Sequence, residues 1–197
     1  MLRPELIELH FITPIDNLAS ILQHGILSHT QMVKRHHVSV AMQAVQDKRA
    51  QKIVPGGRRL HEYANLYICA RNPMMFVRRG QHENLCVLSI SPAVLDIPGT
   101  VITDQNAASA YVRYAASPDG LAHVDRALTF ARNWTHPGDQ IAEWRHKAAK
   151  CAEVLVPDSV HPDHIRAVYV SGEVGRQRAT AAQQSKPVQV NADLFFQ

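Results

Sequence analysis

Apolar and polar positions alternate along this chain in blocks whose period changes several times. Leu6 to Phe11 reads as a short strand, and a well-signalled helix is expected after it. Thr13 can cap that helix, Pro14 sits at its first position and Asp16 lies three residues after the cap. Ile15, Leu18, Ile21 and Leu22 repeat at helical spacing until Gly25 stops the run. Residues 40–52 read as a second, more polar helix, and Val54 to Arg59 (VPGGRR) as a Pro/Gly loop.

Strands are expected at Leu66–Ala70, Leu85–Ile90 and Thr100–Thr103, separated by turns at Asn72-Pro73, Ser91-Pro92 and Pro98-Gly99. From Asn106 to Lys150 the pattern turns helical. Leu121, Val124, Leu128 and Ala131 form one apolar stripe, and Ile141, Trp144 and Ala148 form another. Strands follow at Cys151–Val156 and Arg166–Val170. The polar stretch Glu173–Ser185 reads as an exposed loop or linker, with a last short strand at Val188–Val190. Strands on both sides of a helical middle, without regular βαβ alternation, make the fold class α+β.

Composition narrows this picture modestly. A chain of 197 residues with 46% apolar and 19% charged residues is expected to form one domain over residues 1–197. No apolar run approaches a membrane span, and the start, MLRPELIELH, is charged where a secretory signal is apolar. Three scattered cysteines, Cys69, Cys86 and Cys151, fit a reducing cytoplasm better than a disulfide framework. Charge is more informative in its distribution than in its total. The net charge is +4, but the window from Lys34 to Arg79 holds ten Lys/Arg against Asp47 and Glu62. That window suits a polyanion such as nucleic acid, or is simply a solvated basic surface.

GxxxxGK[ST], GxGxxG and GxSxG are all missing from the sequence. Twelve histidines include His36-His37 and His161-Pro162-Asp163-His164, but neither group has HExxH spacing and no metal is expected. What remains is a pair of polar residues in apolar strands. His10 ends the first strand, and Glu153 lies within Cys151-Ala152-Glu153-Val154-Leu155-Val156. With period two, Glu153 shares a face with Cys151 and Leu155. Such a carboxylate lies at an open edge or is held in a cleft, and the pattern alone favours the edge.

Four blocks then stand in order: HFITPIDNLASILQHGIL, DKRAQKIVPGGRRLHEYANLYICARNPMMF, TDQNAAS and KCAEVLV. Together they resemble the DarT toxins, DNA ADP-ribosyltransferases paired with a macrodomain antitoxin. The middle block departs from the family's usual LHDYVPFYF and P-R-S-P-M runs, notably at Ala64 and Asn72, near what would be the substrate side. The resemblance implies an ADP-ribosyltransferase-like split β-sheet core with an NAD cleft and helical insertions. It implies NAD as a substrate, no metal, and mono-ADP-ribosylation of a base in single-stranded DNA.

By the same matching, Glu153 is the catalytic carboxylate. His10, with Phe11 and Ile12, would grip NAD in a pocket lined by Leu27. Arg49 matches an arginine expected to contact NAD and act on the acceptor base. A guanidinium has no free lone pair, so holding phosphates and polarising the base suits Arg49 better than accepting a proton. Asn106–Lys150 corresponds to the target-reading loop. Arg71, Arg78, Arg79 and Tyr63 are the candidates for nucleic-acid contact, while Tyr67 serves there or in the core. A macrodomain antitoxin is expected on a separate chain, and a monomer is the default. The alternatives are the same chemistry on RNA or a protein, or a non-catalytic nucleic-acid-binding domain.

Overall fold

A computed structural model describes residues 1–33 and 43–197. Among these, the strands are β1 (Leu9–Pro14), β2 (Ile26–Leu27), β3 (Tyr63–Tyr67), β4 (Leu85–Ile90), β5 (Val101–Thr103), β6 (Tyr114–Ala116), β7 (Glu153–Pro157), β8 (Ser159–Val160), β9 (Ile165–Val170) and β10 (Val188–Val190). The helices are α1 (Leu18–His24), α2 (His29–Met32), α3 (Gln43–Ala50), α4 (Pro73–Arg78), α5 (Arg126–Phe130), α6 (Gln140–Ala149) and α7 (Glu173–Ala182). Eight strands form one sheet in the order β10-β9-β4-β1-β3-β7-β5-β6, and β2 pairs separately with β8.

The sheet is split at its centre. β1 runs against β4 over six residue pairs and β3 against β7 over five, but β1 and β3 meet at one pair, His10↔Tyr67. Beyond that pivot the two strands diverge toward Pro14 and Tyr63, leaving one backbone edge of each without a strand partner. The α+β split-sheet expectation is therefore met. The main core, with Leu9, Leu66, Leu88, Val154 and Val168, lies on one side together with Leu18 of α1 and Ala179 of α7. A smaller cluster of Ile12, Met75, Val87 and Phe195 lies on the other.

Several local expectations need correction. β1 continues through Pro14, whose ψ of 143° is extended, so Thr13 is a buried strand residue and not a helix cap. Its Oγ1 instead accepts from Asn17 Nδ2 at 3.2 Å. The strand placed at Leu66–Ala70 lies at Tyr63–Tyr67, because the apolar run leaves the ladder before Asn72 starts α4. The helix expected over 40–52 corresponds to α3, and its residues 40–42 lie outside the described residues.

Glu173–Ser185 is mostly helix and not linker. The buried face of α7 consists of Gly175 and Ala179, residues too small to give an apolar stripe in the sequence. A Cβ at Gly175 would stand 3.1 Å from Val170 Cβ, so any side chain there would push the helix or Val170 back by a few tenths of an ångström. The helical middle is also largely irregular. Leu121 lies in a 3-10 turn with Val124 just after it, both buried, while Ile141 and Trp144 are exposed and α6 buries His146 and Ala149 instead.

Gly25 ends α1 at φ +85°, and a Cβ there would stand 2.4 Å from Val160 O. Both strain and contact oppose any side chain, and Gly25 leads directly into β2. Gly25→Ala is expected to lower unfolding stability by roughly 1–3 kcal/mol, read from urea denaturation midpoints. A midpoint equal to wild type would show that the β2–β8 ribbon yields freely.

Candidate active site

Cross-strand partners share one side of a pleated sheet, so register converts pairing into a row of side chains. Ser89 pairs with His10, His10 with Tyr67, Tyr67 with Glu153, and Glu153 with Thr103. The row therefore crosses β4, β1, β3, β7 and β5, and the split falls in its middle.

Glu153 is fully buried on an interior strand, which corrects the exposed-edge reading of its pattern. β5 and β6 lie outside β7, so the carboxylate must be satisfied within the protein. Arg49 Nη1 donates to Oε2 at 3.0 Å and to Oε1 at 3.2 Å. Ala107 N–H donates to Oε1 at 2.9 Å. Thr103 brackets the backbone of Glu153, its Oγ1 accepting from Glu153 N–H at 3.1 Å and donating to Glu153 O at 3.3 Å.

The supporting turn is itself held. Tyr114 OH donates to Ala107 O at 2.6 Å, Asn106 N–H to Ala148 O at 3.0 Å, and Lys52 Nζ to Ser109 O at 2.9 Å. Sequence reasoning assigned no role to Ala107, Tyr114 or Thr103. Their contributions are made by backbone groups or through one intermediary, and only the TDQNAAS block hinted at them.

A cleft of about 360 Å³ opens where β1 and β3 diverge. Phe11, Ile12, Leu27, Tyr63, Tyr67, Arg49 and Arg78 all line it, together with Asn65, His29, His61 and Asn106. Arg49 reaches the cleft and Glu153 does not, so the guanidinium covers the carboxylate in this state. His10 also stands back from the lining, in the row beside Tyr67. Burial, reinforced by the charge of Glu153, pushes the Tyr67 hydroxyl upward, and burial raises the Cys151 thiol to about 12. Cys151 is therefore a neutral wall and not a nucleophile. Burial lowers His61, with His29 and Arg49 adding to the effect.

The candidates for nucleic-acid contact divide. Arg78 lines the cleft, but Arg71 is committed elsewhere: its Nη1 donates to Asp193 O at 2.6 Å and its guanidinium lies 3.9 Å from the Phe196 ring centre. Arg79 stacks over Phe76 and donates to its carbonyl at 2.8 Å, outside the cleft. Tyr63 lines the cleft with only 5% of its surface exposed. Of the four candidates, Arg78 and Tyr63 thus face the cleft, while Arg71 and Arg79 lie outside its lining. Ala64 and Asn72 do not line the cleft themselves, although their neighbours Asn65 and Pro73 do. Ala64 packs in the main core, and Asn72 caps α4 by accepting from Met75 N–H at 3.1 Å.

No group of three or more His, Cys, Asp or Glu that could hold a metal occurs among the described residues, and His36-His37 lies outside them. No helix among the described residues is long and apolar enough to cross a membrane.

Removing one partner of a buried pair leaves an uncompensated charge. Arg49→Met is expected to cost roughly 3–5 kcal/mol of unfolding stability, and Arg49→Met with Glu153→Gln to recover most of it. Additive losses in that cycle would show that the pair is uncoupled.

The other carboxylate near the row, Glu8, has a clear pH consequence. Burial pushes it up, but hydrogen bonds from His10 and Ser89, the charge of His10 and a bond from Tyr169 outweigh this and hold it at about 2, against an ordinary 4.5. A depressed folded value gives stability that is present above pH 4.5 and lost as pH falls through 2. Acid unfolding is therefore expected to steepen over that window in wild type and to flatten in Glu8→Gln, read by circular dichroism against pH. Identical acid profiles for the two proteins would remove Glu8 as the source.

Comparison with known proteins places this geometry in a family. A family model described as "ssDNA thymidine ADP-ribosyltransferase, DarT" matches residues 10–196. A DNA ADP-ribosyl transferase–DNA ADP-ribosyl glycohydrolase fusion protein of Thermosipho africanus (strain H17ap60334) is 29% identical over 205 residues, covering 98% of this chain. The chain spans 50% of that relative's length. A DNA ADP-ribosyl transferase of Thermus sp. (strain 2.9) is 32% identical over 166 residues, covering 78% of this chain and 76% of the relative. The solved structure of Thermus sp. 2.9 DarT in complex with ADP-ribosylated ssDNA has the same fold, with a TM-score of 0.84 over 98% of this chain and 97% of that one, at 24% identity. With a family match that runs from His10 in the pivot to the C-terminal turn, the chain belongs to the DarT family.

Proposed function

We propose that this chain transfers ADP-ribose from NAD+ to a thymine base in single-stranded DNA, as the toxin of a toxin–antitoxin pair. The observation that carries the reading is a buried carboxylate, Glu153, held under Arg49 at a cleft where the sheet splits. The open edges of β1 and β3 receive the nicotinamide half of NAD+, with His10, Phe11, Ile12 and Leu27 around it. Arg49 moves toward the diphosphate and the incoming base, and Glu153 then meets the ribose.

As the bond between ribose and nicotinamide breaks, its electron pair leaves with nicotinamide and positive charge develops on the ribose. A preorganised carboxylate stabilises that charge. The base nitrogen bonds to the ribose carbon and its proton passes to solvent, so NAD+ and a base N–H give ADP-ribosyl-DNA, nicotinamide and H+. Arg49 polarises the base without accepting the proton, because its guanidinium offers no lone pair.

Thymine is ordinarily a DNA base, which favours DNA over RNA. An unpaired strand is required because the acceptor atom lies inside a duplex stack. The unit acts as a single domain and a monomer in the cytoplasm, where NAD+, DNA and its three free cysteines are compatible. A macrodomain-type glycohydrolase reverses the modification; in the Thermosipho relative a DNA ADP-ribosyl glycohydrolase is fused to the transferase.

Labelled NAD+ is expected to mark thymine-containing single-stranded DNA, and not duplex DNA, thymine-free DNA or RNA. Glu153→Ala abolishes the label, and Arg49→Lys loses most of it, because a point charge does not replace a planar fork. Label on RNA alone would overturn the substrate, and nucleic-acid binding without any label would favour a binding module.

A further inference from the structure

Glu8 has no part in the chemistry above, yet it is tied into the pivot of the split. Its Oε1 lies 3.2 Å from His10 Nε2. Its Oε2 accepts from Ser89 Oγ on β4 and from Tyr169 OH on β9 at 3.0 Å. The carboxylate is thus pinned from two further strands and cannot swing away from His10. His10 is only 6% exposed, and its other ring nitrogen, Nδ1, is buried with no hydrogen-bond partner among the described residues.

Tautomer follows from donor and acceptor counting. An ionised carboxylate only accepts, so the nitrogen facing it carries the proton. In the neutral ring the second nitrogen is then an acceptor. Burying an acceptor without a donor is unfavourable, so a water or a ligand ordinarily supplies one. His10 adjoins Tyr67, which lines the cleft, and Phe11, which follows it there. A hydroxyl-bearing ligand seated in the split beside these two residues could supply that donor.

We propose that Glu8 is a positioning residue: it fixes His10 as the Nε2–H tautomer, so that Nδ1 presents a lone pair to a hydroxyl of bound NAD+. The inference rests on the reading of His10 as an NAD+ contact. Ser89 and Tyr169 belong to the same device, since they orient Glu8 as Glu8 orients His10. In the opposite tautomer Nδ1 would be a donor, and the hydroxyl would have to turn its proton away and accept instead, giving up the arrangement in which His10 takes that proton. A purely structural Glu8 would fix the same tautomer without altering KM for NAD+, so the tautomer and KM are read together.

Nitrogen-15 NMR of the histidine rings in the whole protein at pH 8 reads this directly. Wild-type His10 is expected as the Nε2–H tautomer, with the Nδ1 resonance moving when NAD+ is added. Glu8→Gln is expected to give a mixed tautomer and to raise KM for NAD+ about tenfold, the loss of one hydrogen bond in binding, with kcat changed little. Tyr169→Phe, which leaves the Glu8–His10 contact in place, should move both readouts the same way but less. In a His10→Asn background, Glu8→Gln should add nothing.

An Nδ1–H wild-type ring overturns the proposal. So does an unchanged KM in Glu8→Gln when His10→Ala itself raises KM. If His10→Ala leaves KM unchanged in an active enzyme, the NAD+ reading of His10 fails, and this inference fails with it. Wild type that is inactive toward NAD+ and DNA fails at the proposed function instead, and the tautomer measurement still reports on Glu8.

Discussion

A carboxylate with no solvent exposure in the middle of a β-sheet constrains much of the surrounding structure. Glu153 can stay ionised there only if its charge is paired and its oxygens are hydrogen-bonded. Arg49 supplies the charge from a position 104 residues away in sequence, and Ala107 supplies a backbone N–H. The segments that carry these donors are tied to one another. Ala107 is fixed through Tyr114 and through the packing of Asn106 on the end of α6, and Lys52, two residues after α3, reaches the same turn at Ser109. The short helix α3 has little apolar surface of its own, so the ion pair and these contacts fix its position. Satisfying one buried group therefore assembles three separate segments around the cleft.

The second constraint is the single contact between β1 and β3. A sheet this wide would ordinarily continue its ladder, and the divergence after His10 and Tyr67 leaves polar backbone edges without strand partners. The stability lost there is offset by full pairing on either side, where β1 with β4 and β3 with β7 complete their registers. Because cross-strand partners share a face, the same registers align Ser89, His10, Tyr67, Glu153 and Thr103. The split thus does two things with one irregularity: it opens a cleft and sets a row of polar side chains behind it, of which Tyr67 lines the opening.

Much of the framework was legible in the sequence, for identifiable reasons. Leu85–Ile90 and Val188–Val190 read correctly because apolar runs bounded by turns are strong strand signals. α7 was missed because a helix that packs through Gly175 and Ala179 has no apolar stripe to show. Ile141 and Trp144 misled for the converse reason, since their helical spacing marks a stripe that faces solvent. Within the site, Glu153 and Arg49 were identified by block resemblance, while periodicity alone put Glu153 at an edge. An interior carboxylate is indistinguishable from an exposed one until its pairing partners are known. Arg71 and Arg79 mark another limit: a basic cluster in sequence does not show which guanidinium also contacts Asp193, Phe196 or Phe76.

The two carboxylates of this region are neutralised by different means, and the difference suits different tasks. Glu8 is satisfied by three side-chain groups, two of them hydroxyls, in a half-buried position where nothing needs to move. Glu153 is satisfied by a backbone N–H that stays and by an arginine that also lines the cleft. An arginine partner is exchangeable in a way that a backbone amide is not, because its planar fork can bind a phosphate with the same geometry as a carboxylate. Under the proposed function, an anionic ligand in the cleft competes with Glu153 for Arg49, and its binding energy goes toward uncovering the carboxylate. Coupling exposure of Glu153 to occupancy of the cleft in this way requires no hinge or lid. It follows from the choice of which partner of a buried ion pair faces the ligand.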